Sequence, residues 1–134
     1  MNIKALTLAG LVASAFAAPA IAHHSYAMFD HAKLMKVSGV VTEWEYVNPH
    51  SWLHMNVTDT AGKTFPFGFE TRSPQLLTRL GISRDSMKPG DKVTVSYYPL
   101  KDGSNGGEIR ALVLPNGKEI SYGPSLSDNP NYGY

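Results

Sequence analysis

Ser73-Pro74-Gln75-Leu76-Leu77-Thr78-Arg79-Leu80-Gly81 is the one stretch beyond residue 22 with the period and punctuation of a helix. Ser73 suits an N-cap, and Pro74 fits the first helical position, where a missing N–H costs nothing. Gly81 suits the stop. Leu76, Leu77 and Leu80 form the apolar stripe. The position of this helix decides the fold, because three strand-like runs precede it and two, with a short extension, follow it.

Upstream, residues 64–71 alternate cleanly, with Phe65, Phe67 and Phe69 on one face. Pro66 and Gly68 on the other mark an edge or bulged strand. A short connection containing Gly62 leads back to residues 51–59. There Leu53, Met55 and Val57 point to the core, while Trp52, His54 and Asn56 point away. The Asn48-Pro49 turn separates this strand from the longest run, residues 35–47, which carries Val37, Val40, Val41, Trp44, Tyr46 and Val47. Its alternation is imperfect, and Gly39 inside it marks a bulge or a sharp bend.

Downstream, Lys88-Pro89-Gly90-Asp91 turns into a fourth strand, residues 92–98, with Val93, Val95 and Tyr97 on one face. Residues 101–107 read as a mobile glycine-rich hairpin loop. A fifth strand spans 108–114, and Pro115-Asn116-Gly117-Lys118 turns into a short sixth, 119–122. The expectation is a mainly β domain over 35–122: a five- to six-stranded barrel of the oligonucleotide/oligosaccharide-binding (OB) kind, with one helix between strands three and four. A small β-sandwich and a split barrel are the alternatives.

The ends read differently. Residues 1–22 have the parts of an export signal: Lys4, an apolar run over 5–18, and Ala20-Ile21-Ala22 as a cleavage pattern. Ala18-Pro19-Ala20 fits that pattern too, placing the cut before Ile21. The apolar run is too short and too rich in Ala and Gly for a membrane span, so the expectation is a periplasmic protein without membrane insertion after cleavage. Residues 23–34 form an amino-terminal arm. Residues 123–134, rich in Gly, Pro, Ser and Asn, read as a disordered tail.

Lys4 is the only charge before residue 23, so the remaining 112 residues hold 11 basic and 11 acidic side chains. A balanced chain gives no electrostatic reason for a nucleic-acid partner. With no Cys there is no disulfide, thiolate metal site or cysteine nucleophile.

Five histidines then carry the chemistry. Cleavage after Ala22 would leave His23 first, its amine and ring nitrogen forming a chelating pair that resembles the copper histidine brace. Cleavage before Ile21 would put His23 third, resembling amino-terminal copper/nickel motifs. Imidazole donors suit copper. His50 and His54 lie four apart, roughly 13 Å along a straight strand, too far for easy joint coordination. His50, in the turn, is therefore the partner assigned to His23 and His24. His54 is placed at the surface beside Trp52. Met28, Met35, Met55 and Met87 are read as packing residues rather than soft ligands. Glu43 and Glu45 share a face, read as solvated. Trp52 and Tyr98 are candidate ligand-binding aromatics of the outer face, with Trp44, Tyr46 and Tyr97 most simply part of the core. No nucleophile elbow or phosphate-loop spacing is present.

His23-His24-Ser25-Tyr26-Ala27-Met28-Phe29-Asp30, Asn48-Pro49-His50-Ser51-Trp52 and Lys101-Asp102-Gly103-Ser104-Asn105-Gly106-Gly107 resemble the landmarks of an uncharacterised family of bacterial exported proteins. The resemblance covers nearly all of the chain beyond the signal and implies a domain of unknown function. It brings no activity, but it marks His23, His24, His50 and Trp52 as matching the motifs. The functional expectation is a non-enzymatic periplasmic binding domain, holding copper through His23, His24 and His50. A metal-free barrel binding a small ligand or protein through Trp52 and Tyr98 is the alternative. A copper-dependent redox enzyme is the third reading.

Overall fold

The computed structural model describes residues 27–123. Among these residues, six strands run in the order β1 (Met35–Glu45), β2 (Trp52–Thr58), β3 (Thr64–Glu70), β4 (Lys92–Pro99), β5 (Gly106–Val113) and β6 (Glu119–Ser121), with an α-helix, α1 (Pro74–Arg79), between β3 and β4. β1 pairs with β2 through its second half and with β4 through its first, so a single long strand serves both sides of the sheet. Antiparallel β2–β3 and β4–β5 ladders follow, and a parallel β3–β5 pairing closes the barrel. β6 extends β5 beyond the closure. The expected mainly β, OB-like barrel is the fold of this chain.

Two bulges explain why the strand patterns are uneven. Val41 pairs with Met55 and Glu43 with His54, leaving Thr42 as the extra residue. The inward set therefore changes parity from Val37 and Val41 to Trp44, and both glutamates fall on the outer side. Gly39 lies at the bend instead. It faces Val93 just before β1 changes partners, and a Cβ there would come within 2.5 Å of the Asn56 carbonyl oxygen. On β5 the extra residue is Arg110, because Ile109 pairs with Tyr97 and Ala111 with Ser96. Ile109 and Leu112 consequently both point inward.

The core is continuous. Val41, Leu53, Met55, Phe69, Val93, Val95, Tyr97, Ile109 and Leu112 fill the barrel, and Leu77, Ile82 and Met87 from the α1 region close one end. Leu77 is buried and Leu76 is exposed, so this short helix meets the barrel along a narrower stripe than its three leucines imply. Ser73 occupies the N-cap position without a side-chain cap bond. Tyr46 fastens the helix to β1: its hydroxyl donates to the Pro74 carbonyl at 2.8 Å and bonds Thr78 Oγ1 at 2.7 Å. Trp44 Nε1 donates to the Ser83 carbonyl at 3.2 Å. These two aromatics and Tyr97 thus belong to the packed interior. Met55 and Met87 are buried, whereas Met28 and Met35 are exposed.

The segment before β1 is built into the fold. Phe29 is buried and bridges to Leu100. The Asp30 N–H donates to the Pro99 carbonyl at 2.8 Å, and the Lys101 N–H to the Met28 carbonyl at 2.9 Å. The Asp30 carboxyl is held below its ordinary value chiefly by its hydrogen bond with Lys33.

Candidate functional site

Alternation along each strand sorts the polar side chains onto one outer face. Leu53, Phe69, Ile109 and Tyr97 point inward, so their neighbours Trp52, Glu70, Glu108 and Tyr98 point outward. The register then lines these up. Glu45 opposes Trp52, Trp52 opposes Glu70, Glu70 lies beside Glu108, and Glu108 opposes Tyr98. One row therefore crosses five strands as Glu45, Trp52, Glu70, Glu108 and Tyr98.

Each carboxylate of that row holds a histidine. His31 Nε2 meets Glu108 Oε2 at 3.0 Å, His54 Nε2 meets Glu45 Oε1 at 2.8 Å, and His50 Nδ1 bonds Glu70 Oε1. All three histidines among the described residues are thus paired with glutamates of the same face. Glu70 is nearly buried beneath its partner. The His31 ring also packs edge-on against Tyr98, with centroids 4.7 Å apart. The Arg110 guanidinium lies over the Tyr98 ring at 5.7 Å, with one of its nitrogens buried and unbonded.

Residues assigned from the sequence are partly brought together. His23 and His24 lie outside the described residues. His50 stands on β3 through Glu70, while His54 turns to the β1 side and stacks on Trp52, with rings 6.3 Å apart and inclined by 16°. Trp52 and Tyr98 share the outer face but stand three strand spacings apart, roughly 14 Å along the sheet, with Glu70 and Glu108 between them. They do not form one continuous stacking platform.

The three sequence motifs converge. The first runs into the arm that bonds Lys101 through Met28. The second delivers His50 to Glu70. The third bonds β3 directly, the Gly68 N–H donating to the Asn105 carbonyl at 3.3 Å. Two of its three glycines are not loop residues, because Gly106 and Gly107 open β5 and are buried, while Gly103 stays in the turn. A Cβ at Gly106 would lie 1.9 Å from the Gly68 carbonyl oxygen, and one at Gly107 would lie 2.0 Å from that of Tyr98. The closure of the barrel therefore demands both. The Asp102 carboxyl is lowered by the backbone N–H of Ser104, which keeps the preceding turn in shape.

His31, Glu70 and Glu108 were not singled out by the sequence, and Glu45, read there as part of a solvated face, holds His54. The available signal was slight: a glutamate at an outward position of strands whose inward positions are apolar.

Fold and site together define a small closed β-barrel with a histidine–carboxylate outer face. Residues 10–109 match a family described as a family of unknown function (DUF6152), and the chain belongs to that family. No curated protein and no solved structure matches the chain.

Proposed function

We propose that this protein is a non-enzymatic, exported binding domain that holds copper between His23, His24 and His50 on the outer face of its barrel. One observation carries the reading. The arm that follows His23 and His24 is tied through His31 to Glu108, and Glu108 lies beside Glu70, the carboxylate that holds His50. The four residues from Ala27 back to His23 reach at most about 14 Å when extended, a few strand spacings. A row of carboxylates attracts a cation and repels nucleic-acid phosphate, in keeping with a metal rather than a polynucleotide partner. Residues 1–22 supply the export step, and the periplasm is the destination.

Intact-mass measurement of the exported protein, with and without copper(II), tests the reading. Cleavage after Ala22 and one tightly held copper are expected, with His23→Ala and His50→Ala each weakening binding at least tenfold. Undiminished binding in both variants, or none in the wild type, would overturn it. Turnover with oxygen and a reductant would transfer the same site to the redox reading.

A further inference from the structure

We infer that the outer face carries a second cation site, formed by Glu43, Glu45 and His54, that takes a first-row divalent ion such as zinc(II). The two carboxylates and the imidazole place one donor atom each within 4.8 Å of one another. They do so because of the Thr42 bulge, which turns Glu43 directly opposite His54 and leaves Glu45 opposite Trp52 on the same side. A four-coordinate zinc holds its donors about 3.3 Å apart at bond lengths near 2.0–2.2 Å. Side-chain rotation supplies the remaining contraction.

The donor set matches the ion. Two carboxylates balance a double positive charge, and an imidazole is a borderline-soft ligand suited to zinc, copper or nickel. Among the described residues, the only cationic or potentially cationic partner bonded to these glutamates is His54 itself. Two neighbouring carboxylates are thus left with a single titratable imidazole between them. The donors sit on paired strands rather than on a loop, and the His54 ring is oriented by its stack on Trp52. His54 and Glu45 are each more than a third exposed, so an ion can enter and keep water in its remaining positions.

This site is separate from the copper reading. In the register Trp52 stands between Glu45 and Glu70, so His54 serves the β1 side and His50 the β3 side. Neither depends on the other.

Zinc chloride titrated into the full exported protein by calorimetry provides the test. One zinc equivalent is expected whose affinity falls at least tenfold in His54→Ala and in the Glu43→Gln/Glu45→Gln double variant, and stays unchanged in His50→Ala. In a Trp44→Phe background, where Trp52 is the one tryptophan left, nickel(II) quenches fluorescence unless His54 is replaced. Glu43→Gln alone changes an exposed side chain and guards against misfolding of the double variant. Zinc binding equal in all these variants overturns the site, as does failure of the wild type to bind zinc. Loss in His50→Ala alone would place the ion at the other histidine instead.

Discussion

Glu70 on β3 and Glu108 on β5 are register partners across the parallel seam that closes the barrel. Side-by-side carboxylates repel, and here each is met by a histidine from a different segment, His50 and His31. The seam thereby joins the loop before β2 to the arm before β1. Backbone closure and the assembly of the polar face are one event.

The seam predicts unequal costs for two glycines of the same loop-and-strand stretch, Gly106 and Gly103. Gly106 has φ +141° and no room for a Cβ, whereas Gly103 has φ +81° and open space around it. Gly106→Ala should cost about 3 kcal/mol or more, from strain and overlap together, and Gly103→Ala about 1 kcal/mol. Urea unfolding of the two variants measures the difference. Equal costs would contradict the closure described for β3 and β5.

Adjacent residues of β2 should behave oppositely. Leu53 is fully buried and Trp52 is exposed. Leu53→Ala should destabilise by about 3 kcal/mol, and Trp52→Ala by less than about 1 kcal/mol despite the larger side chain lost. Thermal unfolding reads both.

The arm is held by an apolar anchor and a polar one. Phe29→Ala should cost about 3 kcal/mol, as for other buried aromatics. His31 and Glu108 are both largely shielded, and the coupling between His31→Ala and Glu108→Gln in a double-mutant cycle should fall at about 0.5–1.5 kcal/mol. Zero coupling would mean that the pair contributes nothing to docking the arm.

Alkaline pH gives a signature of Tyr122. Burial pushes its phenol up from 10.0 to about 12, and its oxygen accepts a hydrogen bond from Thr71 Oγ1 at 2.8 Å. The unfolded chain therefore loses this proton first. The stability contributed by the neutral phenol is present below pH 10 and is lost as pH rises toward 12, by roughly 3 kcal/mol. Tyr122→Phe should cost about 1–2 kcal/mol near neutrality and flatten that alkaline decline. Chemical denaturation at pH 8, 10 and 11 checks the sign.

Local sequence carried much of the fold. Alternation in residues 64–71 and 92–98 assigns inward faces because a strand's two-residue period needs no knowledge of its partner. Ser73, Pro74 and Gly81 bound the helix by purely local backbone constraints, and its place between the third and fourth strands points to the barrel. The same locality put His54 beside Trp52, two residues apart on one face.

What local pattern leaves open is register and closure. The Thr42 and Arg110 bulges change which side chains face out, yet a bulge exists only relative to an opposing strand. His31 and Glu108 are 77 residues apart, and nothing near either one announces the other. The sequence by itself determined the elements, their order and most inward faces, since these follow from dihedral preference and apolar periodicity. Only the tertiary structure decided that β3 meets β5, because that pairing depends on two backbones approaching where Gly106 and Gly107 carry no Cβ. From that approach follow the aligned glutamates and the histidines they hold.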